Sequence, residues 1–327
     1  MTALGRLAQG GTGTDVSFDS DGYAIAGTLT EVAAPVAAAI VITGSGRLNR
    51  DSDARLRRPP VTLLRTGVTR QVADALTVAN VLTLRYDKRG IGASGGDYLR
   101  AGMSENLADA RAGLRWLAER APGLPLLTVG HSEGSIHAAR LAADDKVAGA
   151  ILLSAPARTG EQVVDWQIDK LAPTLPGVAK AIMRIAGKDF AATQHKRIAQ
   201  LKATSGDVTR MQGIRVNARW YREFFAYDPV DDYARITVPV LAITGGHDMQ
   251  VVPEDVDVIG RLVQGPFEGH VVDDLSHLLR PDPGWAGPRG YRRSVRQPVS
   301  PAVLAIITRW VASNFGPLPG GEPGTPG

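Results

Sequence analysis

The stretch PLLTVGHSEGSIHAA, residues 125–139, decides the fold. Its first half is a short apolar run ending at Gly130, which reads as a buried strand; its second half has the spacing of a helix beginning near Ser132. The pentapeptide GHSEG (130–134) sits at the junction. A turn this tight strains its central residue and stands the Ser132 hydroxyl clear of the backbone, while Gly130 and Gly134 remove the Cβ atoms that would clash across it. A G-x-S-x-G on an ordinary loop would mean nothing; the strand-to-helix context gives it meaning.

Outward from this junction the same rhythm repeats. An alternating segment from Asp15, VSFDSDGYAIAGTLTE, predicts an antiparallel hairpin. Apolar strands follow at 38–43, 81–87 and 147–154, with helical periodicity at about 61–79 and 104–120, the latter expected to be capped by Ser104 with Glu105 and Asn106 in its first turn. Strands that are apolar on both faces, alternating with helices, imply a mostly parallel sheet flanked by helices. The rhythm lapses over 157–229, which is helical in pattern with no convincing buried strand. It resumes with a strand at 238–244, a helix near 253–263, a strand at 268–274 and a last amphipathic helix at 301–313. The expected organisation is one sheet domain, 15–156 and 230–315, with a helical cap inserted at 157–229, a flexible N-terminus at 1–14 and a disordered, low-complexity tail at 316–327.

A serine needs a base. Of the six histidines, His277 in DDLSHLLR follows the last strand, at the carboxyl edge of the sheet where ligands bind in such folds. His131 is expected to point away from the serine hydroxyl, His137 lies on the following helix, His195 in the cap and His270 mid-strand. The acid that orients the base should follow an earlier strand. Asp248 in ITGGHDMQV does so, whereas Asp273 and Asp274 read as solvated strand-end charges. Two backbone N–H groups are candidates for an oxyanion hole: that of Glu133, directly after the serine, and that of Ser45 in the TGSG loop (43–46).

These residues do not stand alone. GSGRLNRD (44–51), LRYDKRGIGASGG (84–96), GHSEGS (130–135), WYREFFAYDP (220–229), ITGGHDMQV (243–251) and SHLLR (276–280) together resemble the α/β-hydrolase superfamily, in particular bacterial serine hydrolases of the serine aminopeptidase-like and dienelactone-hydrolase-like groups. The order Ser132, Asp248, His277 matches that superfamily's triad order. The resemblance implies an α/β-hydrolase fold with Ser132 as nucleophile, Asp248 as acid, His277 as base, and Ser45 and Glu133 as oxyanion donors. It also implies cleavage of a carboxylic ester or related acyl compound through an acyl-enzyme, with a small-molecule acyl substrate and no cofactor or metal. Where relatives carry a histidine before the oxyanion loop this chain has Thr43, and Arg47 stands where Pro often follows GSG. Asp87 and Arg89 resemble the DxRGxGxS turn and are expected to make ionic contacts beneath the site, with the Glu133 carboxylate paired to a base such as Arg89. A thioesterase, a peptidase, an acyl transferase or lyase, and a non-catalytic binding protein on the same fold are the alternatives.

Composition sets the outer limits. The 327 residues are 44% apolar and 21% charged, with a net charge of +4 and no cysteine. That excludes disulfides, thiolate metal sites and a cysteine nucleophile. The charge is too mild for nucleic acid unless clustered, and no segment has the apolar length of a membrane span. The expectation is a cytoplasmic monomer or homodimer with neither a nucleic-acid nor a membrane partner. One cluster stands out: 180–222 holds ten Lys/Arg against Asp189 and Asp207, a net of +8. A solvated helix face is the favoured reading, and steering of an anionic substrate the other.

Overall fold

A computed structural model describes residues 13–58, 61–175, 177–178, 185, 189–282 and 293–316, with side chains at 55–64 not described. The expected flexible N-terminus and disordered tail therefore fall mostly outside the described residues, as do Lys180, Met183, Arg184 and Lys188 of the cap. Thr14, assigned to the N-terminal extension from sequence, instead opens the first strand.

Eight strands form one twisted sheet: β1 (Thr14–Ser20), β2 (Tyr23–Thr30), β3 (Ala37–Ile42), β6 (Val81–Tyr86), β7 (Leu126–His131), β8 (Gly149–Leu153), β11 (Val240–Gly245) and β12 (Phe267–Val272), in the order β1-β2-β6-β3-β7-β8-β11-β12. Only β2 runs against its neighbours. The inner strands are buried on both faces, and their alternation divides two cores. Ile40, Ile42, Leu84 and Leu152 face α2 (Met103–Arg120) and α3 (Glu133–Asp144). Ala39, Val41, Val129 and Ile151 face α1 (Val68–Val78) and α9 (Pro301–Phe315). From β3 the chain crosses first to β6 on one side and then back to β7 on the other, so the crevice between the carboxyl ends of β3 and β7 is the sheet's switch point, the place where such sheets bind ligands.

Two expectations need correction. Residues 61–67 are not the start of α1. They form β5 (Val61–Arg65), paired antiparallel with β4 (Asp53–Arg58), and Gly67 at φ 57° ends the ribbon before the helix can begin. In α2 the N-cap is Gly102, not Ser104: Glu105 Oε2 accepts from the Gly102 N–H at 2.7 Å, while Ser104 donates to Glu223.

Residues 160–226 carry α4 (Gly160–Leu171), α5 (Phe190–Lys202), a short ribbon of β9 (Val208–Met211) and β10 (Ile214–Asn217), and α6 (Ala218–Ala226). They build a third apolar cluster in which Val163, Ile168, Ile198, Phe224 and Phe225 pack with Met103 and Ile136 of the sheet domain. Two further helices, α7 (Val230–Ala234) and α8 (Asp255–Leu262), flank β11. Among the described residues no helix is long and apolar enough to cross a membrane.

Candidate active site

Ser132 joins β7 to α3 with φ 56° and ψ −122°, a conformation an L-residue holds only when its surroundings enforce it. The enforcement is local. The Ser132 N–H donates to the Leu153 carbonyl at 2.9 Å, and its own carbonyl accepts from the Ser135 N–H and hydroxyl at 2.9 and 2.6 Å. A Cβ on Gly130 would run into the Gly134 backbone, and one on Gly134 into the Ile42 carbonyl. Both glycines are therefore required for close approach of backbone to backbone.

His277 lies on the loop after β12 and Asp248 on the loop after β11; both are buried. His277 Nδ1 donates to Asp248 Oδ2 at 2.8 Å, and Asp248 Oδ1 also accepts from the N–H groups of Gln250 and Val251 at 2.7 and 2.9 Å. The carboxylate is thus fixed by three donors. The His277 loop is tied to the serine turn through His131, whose Nε2 donates to the His277 carbonyl at 2.8 Å and whose ring centroid lies 4.9 Å from that of His277. Arg280 braces the loop from behind, donating to the carbonyls of Gln297, Leu278 and Thr66. The structure therefore brings Ser132, His277 and Asp248 to one edge of the sheet. Asp273 and Asp274 remain exposed.

Sequence reasoning passed over the supporting roles of His131 and Arg280. Burial and the neighbouring His277 hold the His131 imidazole neutral, lowering its pKa from 6.5 to about 3. In the unfolded chain the same group takes up a proton near 6.5, so stability falls as pH drops below that value, by at most ~1.4 kcal/mol per pH unit. His131→Gln keeps a donor where Nε2 stands and is expected to flatten this slope by about one proton between about pH 6 and 4. Urea unfolding across that range reads the slope, and an unchanged slope would contradict the assignment.

Ser45 and Glu133 both line a cavity of about 150 Å³ that opens onto Ser132. Glu133 is the first residue of α3, so its N–H is one of those a helix leaves without an internal acceptor. The Ser45 loop approaches the serine turn closely enough that a Cβ on Gly44 would lie 3.2 Å from that of Ser132. The remaining wall is mostly apolar, broken by Gln167 and Gln250, and comes largely from residues 160–226, with Val163, Val164, Trp220, Tyr221 and Phe224.

The Glu133 carboxylate is held by surrounding side chains, and its charged partner is Lys88 rather than Arg89. Lys88 Nζ donates to Oε2 at 2.9 Å; Asn106, Trp220 and His137 donate to Oε1 at 2.8, 3.1 and 3.2 Å. Burial pushes this carboxyl up, but the Lys88 charge and the bonds from His137 and Lys88 outweigh it and hold it well below the usual range. Arg89 is engaged elsewhere, with Asp109 and Asp21, and Asp87 pairs with Arg50. Adjacent residues leaving a strand point to opposite sides, so Lys88 and Arg89 cannot both reach the serine turn. Glu133→Ala would strand the Lys88 ammonium, 4% exposed, without a counter-charge. It is expected to cost about 3–5 kcal/mol of stability, measured by denaturant unfolding; a loss below about 1 kcal/mol would mean that Lys88 finds another partner.

The other histidines stand apart. His195 pairs with Asp165 and His270 with Glu268. Among the described residues no cluster of three or more His, Asp or Glu is placed to hold a metal ion.

Comparison with known proteins gives the family and the fold. The family model described as serine aminopeptidase, S33, matches residues 65–283. Esterase EstD of Thermotoga maritima is 24% identical over 287 residues, which are 87% of this chain and 64% of that protein, so the chain spans under two thirds of the length of this curated relative. Among solved structures, Est1E from Butyrivibrio proteoclasticus with bound ferulic acid aligns with TM-score 0.58 and 17% identity, over 92% of this chain and all of that one. An esterase from Pyrococcus furiosus aligns with TM-score 0.59 and 15% identity, covering 97% and 95% of the two chains. The proline iminopeptidase of Mycobacterium smegmatis aligns with TM-score 0.60 and 14% identity, covering 92% and 99%. These likenesses show a common α/β-hydrolase fold.

Proposed function

Because the chain belongs to the serine aminopeptidase S33 family of α/β hydrolases, we propose that it is a serine hydrolase cleaving short-chain carboxylic esters. The observation that carries this reading is the strained Ser132 on a turn tied through His131 to the loop of His277, a buried imidazole whose Nδ1 is held 2.8 Å from a carboxylate. In the proposed cycle His277 takes the Ser132 proton as Oγ attacks the acyl carbon, and the Ser45 and Glu133 amides hold the oxyanion. The C–O bond to the alcohol then breaks, and His277 returns the proton to the departing oxygen. Water repeats the sequence on the acyl-enzyme and releases the carboxylic acid.

The acyl group is proposed to occupy the apolar cavity under α4 and α6. At about 150 Å³ it is small beside the 300–1,000 Å³ usual for larger ligands. Acetyl to butyryl esters should therefore be preferred over octanoyl by about tenfold or more in kcat/KM, read with a p-nitrophenyl series; a longer-chain optimum would overturn the cavity assignment. An aminopeptidase would need a carboxylate aimed at a substrate ammonium, and the one carboxylate lining this cavity, Glu133, is already neutralised by Lys88. The homologous esterase name favours the same choice. A cytoplasmic location and a monomeric or dimeric state are part of the proposal, testable by cell fractionation and light scattering.

A further inference from the structure

A second cavity, of about 1330 Å³, opens between the Ser45 loop, the start of α1 and the segment leading to α9. Its charge is one-sided. Among the described residues, Arg47, Arg65, Arg70, Arg280 and Arg296 line it, against the carboxylate of Asp53. Asp53 is already committed, accepting the Gly67 N–H at 3.0 Å. Among the described residues, Arg47, Arg65, Arg70 and Arg296 form no salt bridge, although Asp74, one turn along α1, lies within electrostatic reach of Arg70.

Guanidinium groups gathered around one space repel each other, and the amino end of α1 at Gly67, which has no side-chain cap, adds partial positive charge to the same wall. Among the described residues, the cavity lining carries more positive than negative charge. Arginine is the residue best suited to phosphate, because its planar fork can donate two bonds at once. The basic run of the cap is partly neutralised. Arg219 pairs with Glu105 and Glu223, Lys202 with Glu161, and Arg222 caps the carbonyls of 205 and 206.

The cavity also adjoins the chemistry. Arg47 lies two residues beyond Ser45, and its guanidinium sits 5.0 Å from the centre of the Tyr98 ring. The Tyr98 phenol is in turn within electrostatic reach of Glu133 and Tyr221, which line the acyl cavity.

Resting on the hydrolase reading above, we propose that the arginine-lined cavity receives a phosphate-bearing leaving group, so that the preferred substrate is a short acyl ester or thioester of a phosphorylated carrier. Bond changes are those of the general cycle, with the carrier leaving as its protonated alcohol or thiol.

The test uses two thioesters with the same reacting bond on the full chain: butyryl-coenzyme A and butyryl-N-acetylcysteamine, which lacks the phosphates. The coenzyme A thioester should be favoured by about 30-fold or more in kcat/KM at low salt, and the preference should shrink in 0.5 M salt. Arg65→Ser/Arg70→Ser/Arg296→Ser should remove most of that preference and leave the truncated thioester unchanged. In parallel, inorganic pyrophosphate is titrated calorimetrically into Ser132→Ala with and without the triple substitution, where about tenfold weaker binding is expected. Equal kcat/KM for the two thioesters, or a preference that survives the triple substitution, overturns the proposal. So does pyrophosphate binding that is absent or indifferent to the three arginines. If no ester or thioester is turned over while pyrophosphate binds in an arginine-dependent way, the hydrolase reading falls and the anion site stands.

Discussion

Ser132→Ala is expected to lower kcat on a short-chain ester by about 10⁶-fold, with His277→Ala close behind and the double substitution no worse than either single one. The reason is that the two groups act as a unit. Without the imidazole the hydroxyl keeps its proton, and without the hydroxyl the imidazole has nothing to activate. What survives in each variant is the rate supplied by binding and by the amides of Ser45 and Glu133, on the order of 10³–10⁴ over water. The fold should tolerate the serine change, since the turn is held by backbone bonds from Ser132 to Leu153 and Ser135 rather than by the hydroxyl. A fluorophosphonate probe gives the same answer without a known substrate: it should label the wild type stoichiometrically at Ser132 and neither variant. A folded wild type that stays unlabelled would bring forward a binding protein on this fold.

Much of the sheet was legible because its strands leave little ambiguity. AAAIVI, LLTVGH and VLAITG are short, apolar and bounded by glycine or proline, and each is buried on both faces. The triad candidates were legible for a related reason: each follows a strand, and strand ends are where the topology gathers residues distant in sequence. What failed was short-range. VTLLRTG reads as helix because its apolar residues continue into α1 without an obvious break; its pairing with 53–58, a tertiary contact, makes it a strand. The β9–β10 ribbon is only four residues a side with a single buried residue, so it carries no apolar alternation strong enough to compete with the helical pattern around it. Its one local signal was Gln212-Gly213, both at positive φ (51° and 79°), the two-residue turn that joins antiparallel strands. The choice of Lys88 over Arg89 for Glu133 turns on which side of a strand each residue leaves, a difference of one position.

Asp248→Asn is the second large effect, and it tests orientation separately from proton transfer. In the wild type the Gln250 and Val251 amides donate to Asp248 Oδ1, and His277 Nδ1 lies 2.8 Å from Oδ2 and 3.0 Å from Oδ1. An asparagine keeps its oxygen on the two amides, which turns its NH₂ toward Nδ1. Nδ1 must then accept, so the imidazole proton moves to Nε2, the nitrogen that should take the serine proton. The expected loss is about 10⁴ in kcat, with KM and thermal stability near wild type because every buried polar atom still has a partner. That combination separates a tautomer error from a collapsed site, which would raise KM and lower the melting temperature together. A loss of tenfold or less would show that Asp248 does not orient His277. The search would then move to the exposed carboxylates after β12, Asp273 and Asp274, which the fold would have to bring inward on substrate binding.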